Sequence, residues 1–463
     1  MQRILVAGLL AVVLAGCSSG TPPPGASART GSVQPSPISA STTVVASRAS
    51  IAPTSVPTWR PYSVPNGRSA QVLAVAPDGT VYVATYVTAD RSGFQVVTSE
   101  AIEALGPDGQ PKPTWASIVI PSGQAVTAGI VAGDGTLYIA ETNAVPNQNA
   151  PVTVSAFSPT GALVSGWPYD TVAAATSCAM PLMLAADGTL YFARCGATGS
   201  GSGAGLEALG PGGRPLSGWP VPVPAGSVSS PGIAADGTIY YTSTTSTSNG
   251  IRSQVRALDA SGHPKSGWRT YSSPPGYRAG PPLVAGSHII VDLFKPAFGQ
   301  PERLVALGSD GTPDPGWTPF VTPAGYYVVN MAAAVDGTLY VTLDKAGAQG
   351  PAGPGEIMAL TANGTRKAGW PQHVSGALDP LLLVAPDGSI RVADQATGSG
   401  STALTALSAT GRKLAGWPVE VGDPASGFQG AQMAPSGAIF APSTTSGTTR
   451  VLEFGVAGQP GSP

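Results

Sequence analysis

The chain has 463 residues, of which only 10% are charged, and its formal net charge is −2 at neutral pH. This low and balanced charge leaves no electrostatic footprint for nucleic acid or for an anionic membrane surface, so a polyanionic partner is not expected. Apolar residues make up 42% of the chain and occur in regular strand-like runs, which separates the sequence from disordered chains rich in glycine and proline.

The N-terminus has the pattern of a secretory signal. Arg3 precedes an apolar run from Ile4 to Leu14 that is too short to cross a bilayer as a mature helix. The sequence then reads Leu14-Ala15-Gly16-Cys17, which resembles the lipobox of bacterial lipoproteins. The resemblance implies cleavage before Cys17, a diacylglyceryl and palmitate modification of that residue, and anchoring on the extracytoplasmic side of the cell membrane or outer membrane. The alternative is an ordinary secretory signal with an incidental cysteine.

The segment after Cys17 has the composition of a tether. From Ser18 to about Pro57 it is rich in Ser, Thr, Pro and Ala and has no hydrophobic period. We therefore expect a signal peptide over residues 1–16, the acylated cysteine with its disordered tether over 17–57, and a folded part over 58–463.

The folded part repeats a strand, an Asp-Gly turn and a second strand, first at Asp78-Gly79. Asp-Gly between β-branched and aromatic residues predicts a hairpin, because Gly accepts positive φ and Asp bonds its own backbone. The same turn recurs at Asp134, Asp187, Asp236, Asp336 and Asp387, and in degenerate form at Ser436. The fifth copy has Ala285-Gly286-Ser287-His288 in its place.

Each repeat continues with an Ala-Leu or Ala-Phe strand, a second turn and a tryptophan six residues after a glycine. The pairs are Gly109 and Trp115, Gly161 and Trp167, Gly213 and Trp219, Gly262 and Trp268, Gly311 and Trp317, Gly364 and Trp370, and Gly411 and Trp417. An eighth copy begins at Val451 and ends before its tryptophan, whereas Trp59 precedes the first copy. We predict that Thr58 to Ser63 forms the outer strand of the last repeat, beside Val451 to Phe454, which closes a ring of sheets.

The hairpin Asp-Gly-Thr-Leu-Tyr followed by Ala-Leu, a turn and Trp resembles the repeat of quinoprotein-type (PQQ-like) β-propellers. The resemblance covers almost all of residues 58–463 and implies an all-β, eight-bladed β-propeller of four-stranded antiparallel blades. The Gly-Trp-Pro ending is also similar to propellers with integrin-like FG-GAP repeats. Their calcium loop of alternating aspartates is missing, so no metal site is expected. The spacing of glycine and tryptophan excludes sialidase-type Asp boxes.

No catalytic constellation is recognisable in the sequence. His263, His288 and His373 fall in different repeats at unrelated positions, which disfavours a metal cluster or a Ser-His-Asp arrangement. Quinone-dependent dehydrogenases of this fold place a vicinal cysteine pair near the cofactor, and no adjacent cysteines occur here. We therefore expect no enzymatic activity and no cofactor, with a quinoprotein-type dehydrogenase as the alternative function.

Cys178 and Cys195 flank the third hairpin almost symmetrically about Asp187-Gly188. An antiparallel register brings them near each other, and a disulfide is the expected result outside the cytoplasm. The alternative is two buried free thiols.

The tryptophans have two interpretations. They either pack between adjacent blades or provide stacking surfaces for a sugar or a quinone. One tryptophan per repeat at fixed spacing favours the structural role, because a single ligand site does not need equivalent copies.

The blade-to-blade connections carry candidate binding residues on the face opposite the Asp-Gly turns. These residues are Tyr169, Asp170, Tyr277, Arg278, Tyr326, Tyr327 and Phe428. Tyr and Arg are preferred contact residues, although these aromatics could instead plug the central channel or cover strand ends. We predict a monomeric, lipid-anchored propeller that acts as a binding or scaffold module for envelope proteins or glycans.

Overall fold

The computed structural model describes residues 59 to 455, apart from 92–93, 144–150, 172–180, 195–202, 224–226, 248–249, 297–298, 348–349, 352, 396–401, 422–429 and 446. Cys17, Cys178, Cys195 and Phe428 lie outside these residues, so the predictions made for them stay predictions. Within this part of the chain the regular structure consists of β-strands, and no helix there has the length and apolarity needed to span a bilayer.

The strands form eight antiparallel sheets, which we number as blades in chain order. Blade 1 comprises Ser69–Val75, Val81–Arg91, Phe94–Leu105 and Ile118–Ile120. Blade 2 comprises Gln124–Val131, Leu137–Asn143, Thr153–Phe157 and Tyr169–Asp170. Blade 3 comprises Met183–Leu184, Leu190–Arg194, Gly205–Leu209 and Val221–Pro222. Blade 4 comprises Ser227–Val228 with Gly232–Ile233, then Ile239–Thr247, Gly250–Leu258 and Tyr271–Ser272.

The second half of the ring follows the same plan. Blade 5 comprises Arg278–Ala279 with Leu283–Ala285, then His288–Phe294, Arg303–Leu307 and Phe320–Val321. Blade 6 comprises Tyr326–Ala333, Leu339–Gly347 with Gly350–Pro351, Glu356–Leu360 and Gln372–His373. Blade 7 comprises Ala377–Val384, Ile390–Gln395, Thr402–Leu407 and Val419–Glu420. Blade 8 comprises Gln432–Met433, Ile439–Thr445, Thr448–Phe454 and the N-terminal strand Tyr62–Ser63.

Consecutive strands of each blade are hydrogen-bonded neighbours, and first strands of adjacent blades contact one another. The first strands therefore surround the axis of the ring and the fourth strands lie at its circumference. This arrangement is an eight-bladed β-propeller, which confirms the predicted fold class. Both faces of each sheet are covered by neighbouring blades, which explains why the strands are apolar on both sides.

The first hairpin of each blade is held by the aspartate of its turn. In blade 1, Oδ1 of Asp78 accepts a hydrogen bond from the backbone N–H of Thr80 at 2.9 Å. The same bond forms at Thr136, Thr189, Thr238, Thr338 and Ser389. In blade 5 the turn has changed as predicted, and Nε2 of His288 lies 2.6 Å from Oδ2 of Asp314 in the second turn.

The tryptophans are packed between strands. Seven are buried and Trp268 is partly buried. Most lie against an aromatic ring of the second strand, with centroids 4.8–5.6 Å apart, as in Trp59 with Phe440, Trp115 with Tyr82, and Trp370 with Tyr340. Buried indoles leave no face for a ligand, which favours their structural interpretation.

The glycine and tryptophan of the repeat meet across blades rather than within one. A Cβ atom at Gly109 would overlap the carbonyl oxygen of Arg60 and lie 3.0 Å from the Trp59 ring. Equivalent contacts join Gly161 to Trp115, Gly213 to Trp167, Gly262 to Trp219, Gly311 to Trp268, and Gly364 to Trp317. Each glycine therefore makes room for the tryptophan of the preceding blade.

The N-terminal strand closes the ring. Tyr62 pairs with Val451 and Ser63 with Arg450 in an antiparallel register. The side chain of Trp59 is only 1% exposed, and its Nε1 lies 3.5 Å from the Val451 carbonyl oxygen. Blade 8 is therefore completed from the other end of the chain, as the unclaimed tryptophan predicted.

Candidate functional site

Four blade connections contain the same tight turn, Pro-x-Gly-x, at the start of a first strand. The fourth residue donates its backbone N–H to the proline carbonyl oxygen at 3.0–3.1 Å in Pro65–Arg68, Pro121–Gln124, Pro274–Tyr277 and Pro323–Tyr326. The glycine adopts a φ of 78–88° with open space where a Cβ would lie. Because the first strands surround the axis of the ring, each turn with its fourth residue lies at the mouth of the central channel. We call this side of the ring the connection face, and the side with the two tight turns of each blade the turn face. The rings of Tyr277 and Tyr326 also pack against the hydrophobic cores beside their blades.

Tyr277 occupies this turn position ahead of blade 5. Its carbonyl oxygen accepts a hydrogen bond from Oγ of Ser273 at 2.8 Å, which fixes the turn from below. Nζ of Lys295, an exposed residue, lies 5.2 Å from the centroid of the Tyr277 ring, within the range of a cation–π contact. The next residue, Arg278, is half-buried, which lowers its pKa, and its Nε has no hydrogen-bond partner among the described residues.

Tyr326 occupies the same position ahead of blade 6. Its carbonyl oxygen accepts a hydrogen bond from Oγ1 of Thr322 at 3.0 Å, which repeats the arrangement around Tyr277. Partial burial, with Glu356 and Asp344 nearby, raises the pKa of Tyr326. Burial, and then the charges of Asp344 and Glu302, raise the pKa of Tyr327 as well. Both phenols are therefore neutral hydrogen-bond donors at physiological pH.

Three acidic residues lie near these tyrosines, and we call Asp292, Glu302 and Asp344 the carboxyl cluster. Asp292 and Asp344 are buried in second strands, whereas Glu302 is partly buried and directly precedes the third strand of blade 5. Oε2 of Glu302 accepts a hydrogen bond from the Val328 N–H at 2.5 Å, and burial raises the pKa of Glu302 to about 7. Oδ2 of Asp344 accepts from the Leu378 N–H at 3.2 Å, and burial raises the pKa of Asp344 to about 6. Both carboxyls thus fasten the first strand of the next blade.

Asp292 is also buried, in the second strand of blade 5. It is 9% exposed, and its Oδ1 has no hydrogen-bond partner among the described residues. Burial, and then the charge of the nearby Glu302, raise the pKa of Asp292 well above its ordinary value, which favours its protonated form. The cluster therefore offers proton donors and acceptors close to neutrality.

A raised carboxyl pKa is not by itself special to this region. Glu100 of blade 1 has the same place in the repeat as Glu302, since each lies five residues before the leucine that ends the third strand. Glu100 accepts a hydrogen bond from the Val126 N–H at 2.8 Å, and burial raises its pKa to about 7. What distinguishes blades 5 and 6 is the presence of tyrosines in both channel-mouth turns, together with Asp292 and Asp344.

The predicted binding residues are divided between two places. Tyr277, Arg278, Tyr326 and Tyr327 lie at the starts of the first strands of consecutive blades. Tyr169 and Asp170 instead form the fourth strand of blade 2, at the circumference. There the Tyr169 hydroxyl donates to Oε2 of Glu207 at 3.1 Å, and Asp170 accepts from Thr153.

Sequence reasoning missed the carboxyl cluster, although the repeat contains a signal for it. At the position of Asp292, the second strands of the other blades have uncharged residues: Ala84, Ala140, Ala193, Thr242, Thr342, Ala393 and Pro442. An acidic residue at a position that is uncharged in every other copy marks a departure from the repeat, and aligning the copies would have revealed it.

No protein-family model matches the chain, and no curated protein matches its sequence. Among solved structures, the Dos1 propeller is similar with a TM-score of 0.51 at 10% identity, over 85% of this chain and 95% of that one. Oligogalacturonate lyase in complex with manganese matches with a TM-score of 0.46 at 11% identity, over 84% and 99% of the two chains. Prolyl oligopeptidase B from Galerina marginata matches with a TM-score of 0.46 at 12% identity, over 85% of this chain and 56% of that one. These likenesses concern the propeller fold.

From the lack of a recognisable catalytic constellation we expected that the chain is not an enzyme, and this inference is wrong. Solved structures that match it include a lyase and a peptidase, so enzymes are among the proteins with this architecture. The physical reason is that loops from different blades can bring catalytic groups together without any regular spacing in the sequence. At 9–12% identity these matches assign no reaction to this chain.

Proposed function

We propose that the protein is a lipid-anchored, extracytoplasmic binding or scaffold module, and that the connection face at blades 5 and 6 binds an envelope protein or glycan. The observation that supports this most is the pair of partly exposed tyrosines, Tyr277 and Tyr326, which identical turns hold at the channel mouth of consecutive blades. Tyrosines held in this way supply contact area at a low cost in conformational entropy.

The chemistry around the tyrosines suits a ligand with hydroxyl or amine groups. Aromatic faces pack against sugar rings and against aliphatic side chains, whereas phenol and carboxyl groups exchange hydrogen bonds with polar substituents. Lys295 beside Tyr277 adds one exposed positive charge. We also propose that the protein is related to quinoprotein-type propellers, because its repeat contains the Asp-Gly-Thr-Leu-Tyr hairpin.

Site-specific photocrosslinking in intact cells tests the binding face. A crosslinking amino acid at position 326 should capture a partner, because this side chain is partly exposed at the channel mouth. The matched control is position 124, since Gln124 holds the same place in the same turn ahead of blade 2. Mass spectrometry of the adducts then identifies a protein or a glycan. Equal capture at both positions, or none at either, contradicts the proposed face.

The double variant Tyr277→Ala with Tyr326→Ala provides a second test. We expect the yield of adduct from a crosslinker at position 345, opposite Tyr326 in the register, to fall at least about tenfold, since contact aromatics each contribute more than about 1.4 kcal/mol to binding. An unchanged Tm shows that the variant is folded. An unchanged yield in the folded variant rules out a role for these rings.

The anchor is tested separately. Replacing Cys17 by Ser removes the thiol that the lipobox resemblance marks for acylation, and the protein should move from the membrane to the soluble fraction. Retention of the Cys17→Ser variant in membranes would overturn the anchor without affecting the proposal for the connection face.

A further inference from the structure

Blade 7 departs from the repeat at one position on the turn face. Arg391 stands where six blades have an aromatic residue and blade 5 has Ile290; the aromatic residues are Tyr82, Tyr138, Tyr191, Tyr240, Tyr340 and Phe440. The usual role of this residue is visible in blade 6, where the Tyr340 hydroxyl donates to the Gly388 carbonyl oxygen of the next blade at 2.7 Å. Tyr82 makes the same bond to Gly135 at 3.2 Å. In blade 7 an arginine has replaced this contact between blades.

The guanidinium of Arg391 is buried and only partly hydrogen-bonded. The residue is 0% exposed and lies 5.4 Å from the Trp417 ring centroid. Its Nη1 donates to Oγ of Ser389 at 3.0 Å and to the Ile390 carbonyl oxygen at 3.2 Å. Nε and Nη2 have no partner among the described residues. These two nitrogens form the edge of the guanidinium that binds a carboxylate or phosphate side-on with two parallel bonds.

A cavity of about 150 Å³ lies beside this arginine, between blades 7 and 8. Its wall includes Asp387, Ser389, Arg391 and the turn formed by Pro435, Ser436 and Gly437. The turn of blade 8 has Ser436 where six other blades have aspartate, so the neighbouring blade contributes no carboxylate from this position. The cavity therefore brings together a buried cation, the serine side chains and the carboxylate of Asp387 in the turn of blade 7.

Asp387 does not satisfy the arginine. Its Oδ1 is occupied by the N–H of Ser389 at 2.9 Å and by the Ser389 hydroxyl at 2.6 Å. No ion pair joins Asp387 to Arg391 among the described contacts. Burial lowers the pKa of Arg391, and the charge of Asp387 only partly opposes this effect. Burial of a charged group with two unpaired hydrogen-bond donors costs free energy unless an anion accepts hydrogen bonds from them.

We propose that this cavity is a binding site for a small oxyanion, of carboxylate or phosphate size, held side-on by Nε and Nη2 of Arg391 with the Ser436 hydroxyl as a further donor. Because Arg391 is not exposed, the anion enters through a local opening of the Pro435–Gly437 turn. The site lies on the turn face and is independent of the binding surface proposed above. It couples anion binding to the contact between blades 7 and 8.

Calorimetric titration of the full chain with acetate and with inorganic phosphate, at constant ionic strength set by chloride, tests the site. We expect saturable binding and a rise in Tm with at least one anion, and the preferred anion identifies the class. Arg391→Tyr restores the residue of the repeat, so it should bind at least about tenfold more weakly, since two charge-assisted hydrogen bonds are lost. Its Tm without anion should be higher than that of the parent, because Tyr can reach Gly437 as Tyr340 reaches Gly388.

Two further variants complete the experiment. Arg391→Met fills the same space without donors and replaces Arg391→Tyr if that variant does not fold. Arg256→Met is the matched control, because Arg256 in blade 4 also has an unpartnered Nε but lies away from the cavity. This control should keep full anion binding. The proposal fails if neither anion binds saturably, or if the Arg391 variants bind as tightly as the parent.

Discussion

The turn face and the connection face differ in how closely they follow the repeat. On the turn face, six blades share the bond from the turn aspartate to the backbone two residues later, and a glycine makes room for the tryptophan of the preceding blade at six interfaces. On the connection face, the same Pro-x-Gly turn presents Arg, Gln or Tyr. Residues that recur from blade to blade stabilise the ring. Residues that differ between blades carry functional groups that the stability of the ring does not require.

The contrast extends to the hydrogen bonds of the channel-mouth residues. Arg68 is fixed by bonds to Thr85 and Ser99 in its own blade, so it serves the fold. Tyr277 and Tyr326 are held through their backbones, which leaves the rings partly exposed. The same turn therefore supports structure in blade 1 and an accessible surface in blades 5 and 6.

The largest effect is expected at the ring closure on the turn face. Trp59→Ala should lower the free energy of unfolding by about 3 kcal/mol, the usual range for removing a buried aromatic side chain. Denaturant unfolding of the purified variant measures this. Deletions within residues 20–52 are the control and should leave Tm unchanged. A loss below about 1 kcal/mol would mean that the closing strand contributes little to the ring.

A pair of glycine variants compares the two faces directly. Gly109 and Gly67 have similar φ angles of 79° and 78°, but only Gly109 faces a neighbouring backbone. Gly67→Ala should cost about 1 kcal/mol, from the backbone strain alone. Gly109→Ala should cost about 2–3 kcal/mol, because its Cβ also overlaps the adjacent blade. Equal losses in thermal unfolding would contradict the contact between glycine and the preceding blade.

The smallest effect concerns the carboxyl cluster and depends on pH. Because burial raises the pKa of Glu302 to about 7 in the folded state, above its value in the unfolded chain, its contribution is most favourable at acidic pH and is lost as pH rises through 7. Glu302→Gln should therefore raise stability at pH 8 by on the order of 1 kcal/mol and have little effect at pH 4. Tm measured across this pH range checks the sign.

Two controls sharpen the pH prediction. Glu420→Gln changes an exposed residue on the fourth strand of blade 7 and should leave the pH profile unchanged. Glu100→Gln should reproduce the stabilisation, because Glu100 has the same place in the repeat and the same backbone bond. Only Glu302→Gln should also alter capture of a partner at position 326. Stabilisation at pH 4 rather than pH 8 would refute the assigned direction.

The repeat itself was predictable because its physical causes are local. Asp-Gly hairpins need only a turn residue with positive φ and an aspartate that bonds its own backbone, so the sequence reveals them directly. Ring closure was also predictable, since Trp59 belonged to no complete copy of the repeat and the copy at Val451 had no tryptophan of its own.

The carboxyl cluster and the cavity could not be predicted in the same way. Glu302 meets Val328, and Asp344 meets Leu378, where the first strand of the next blade has an irregular register. The cavity beside Arg391 depends on a turn that lies in blade 8. Such features arise from packing between blades. The repeat pattern describes residues within one blade and does not give the distances between side chains of neighbouring blades.

The closing strand has a consequence for the order in which the protein acquires its structure. Trp59 meets Val451 although the two are 392 positions apart in the sequence. Contacts of such separation form late, since loop closure over the whole chain must come first. The earliest segment of the propeller to be synthesised must therefore wait, unpaired, until the last strands have emerged. Until then the chain is an open row of blades with an exposed strand edge, so it is most vulnerable to aggregation and proteolysis during this interval.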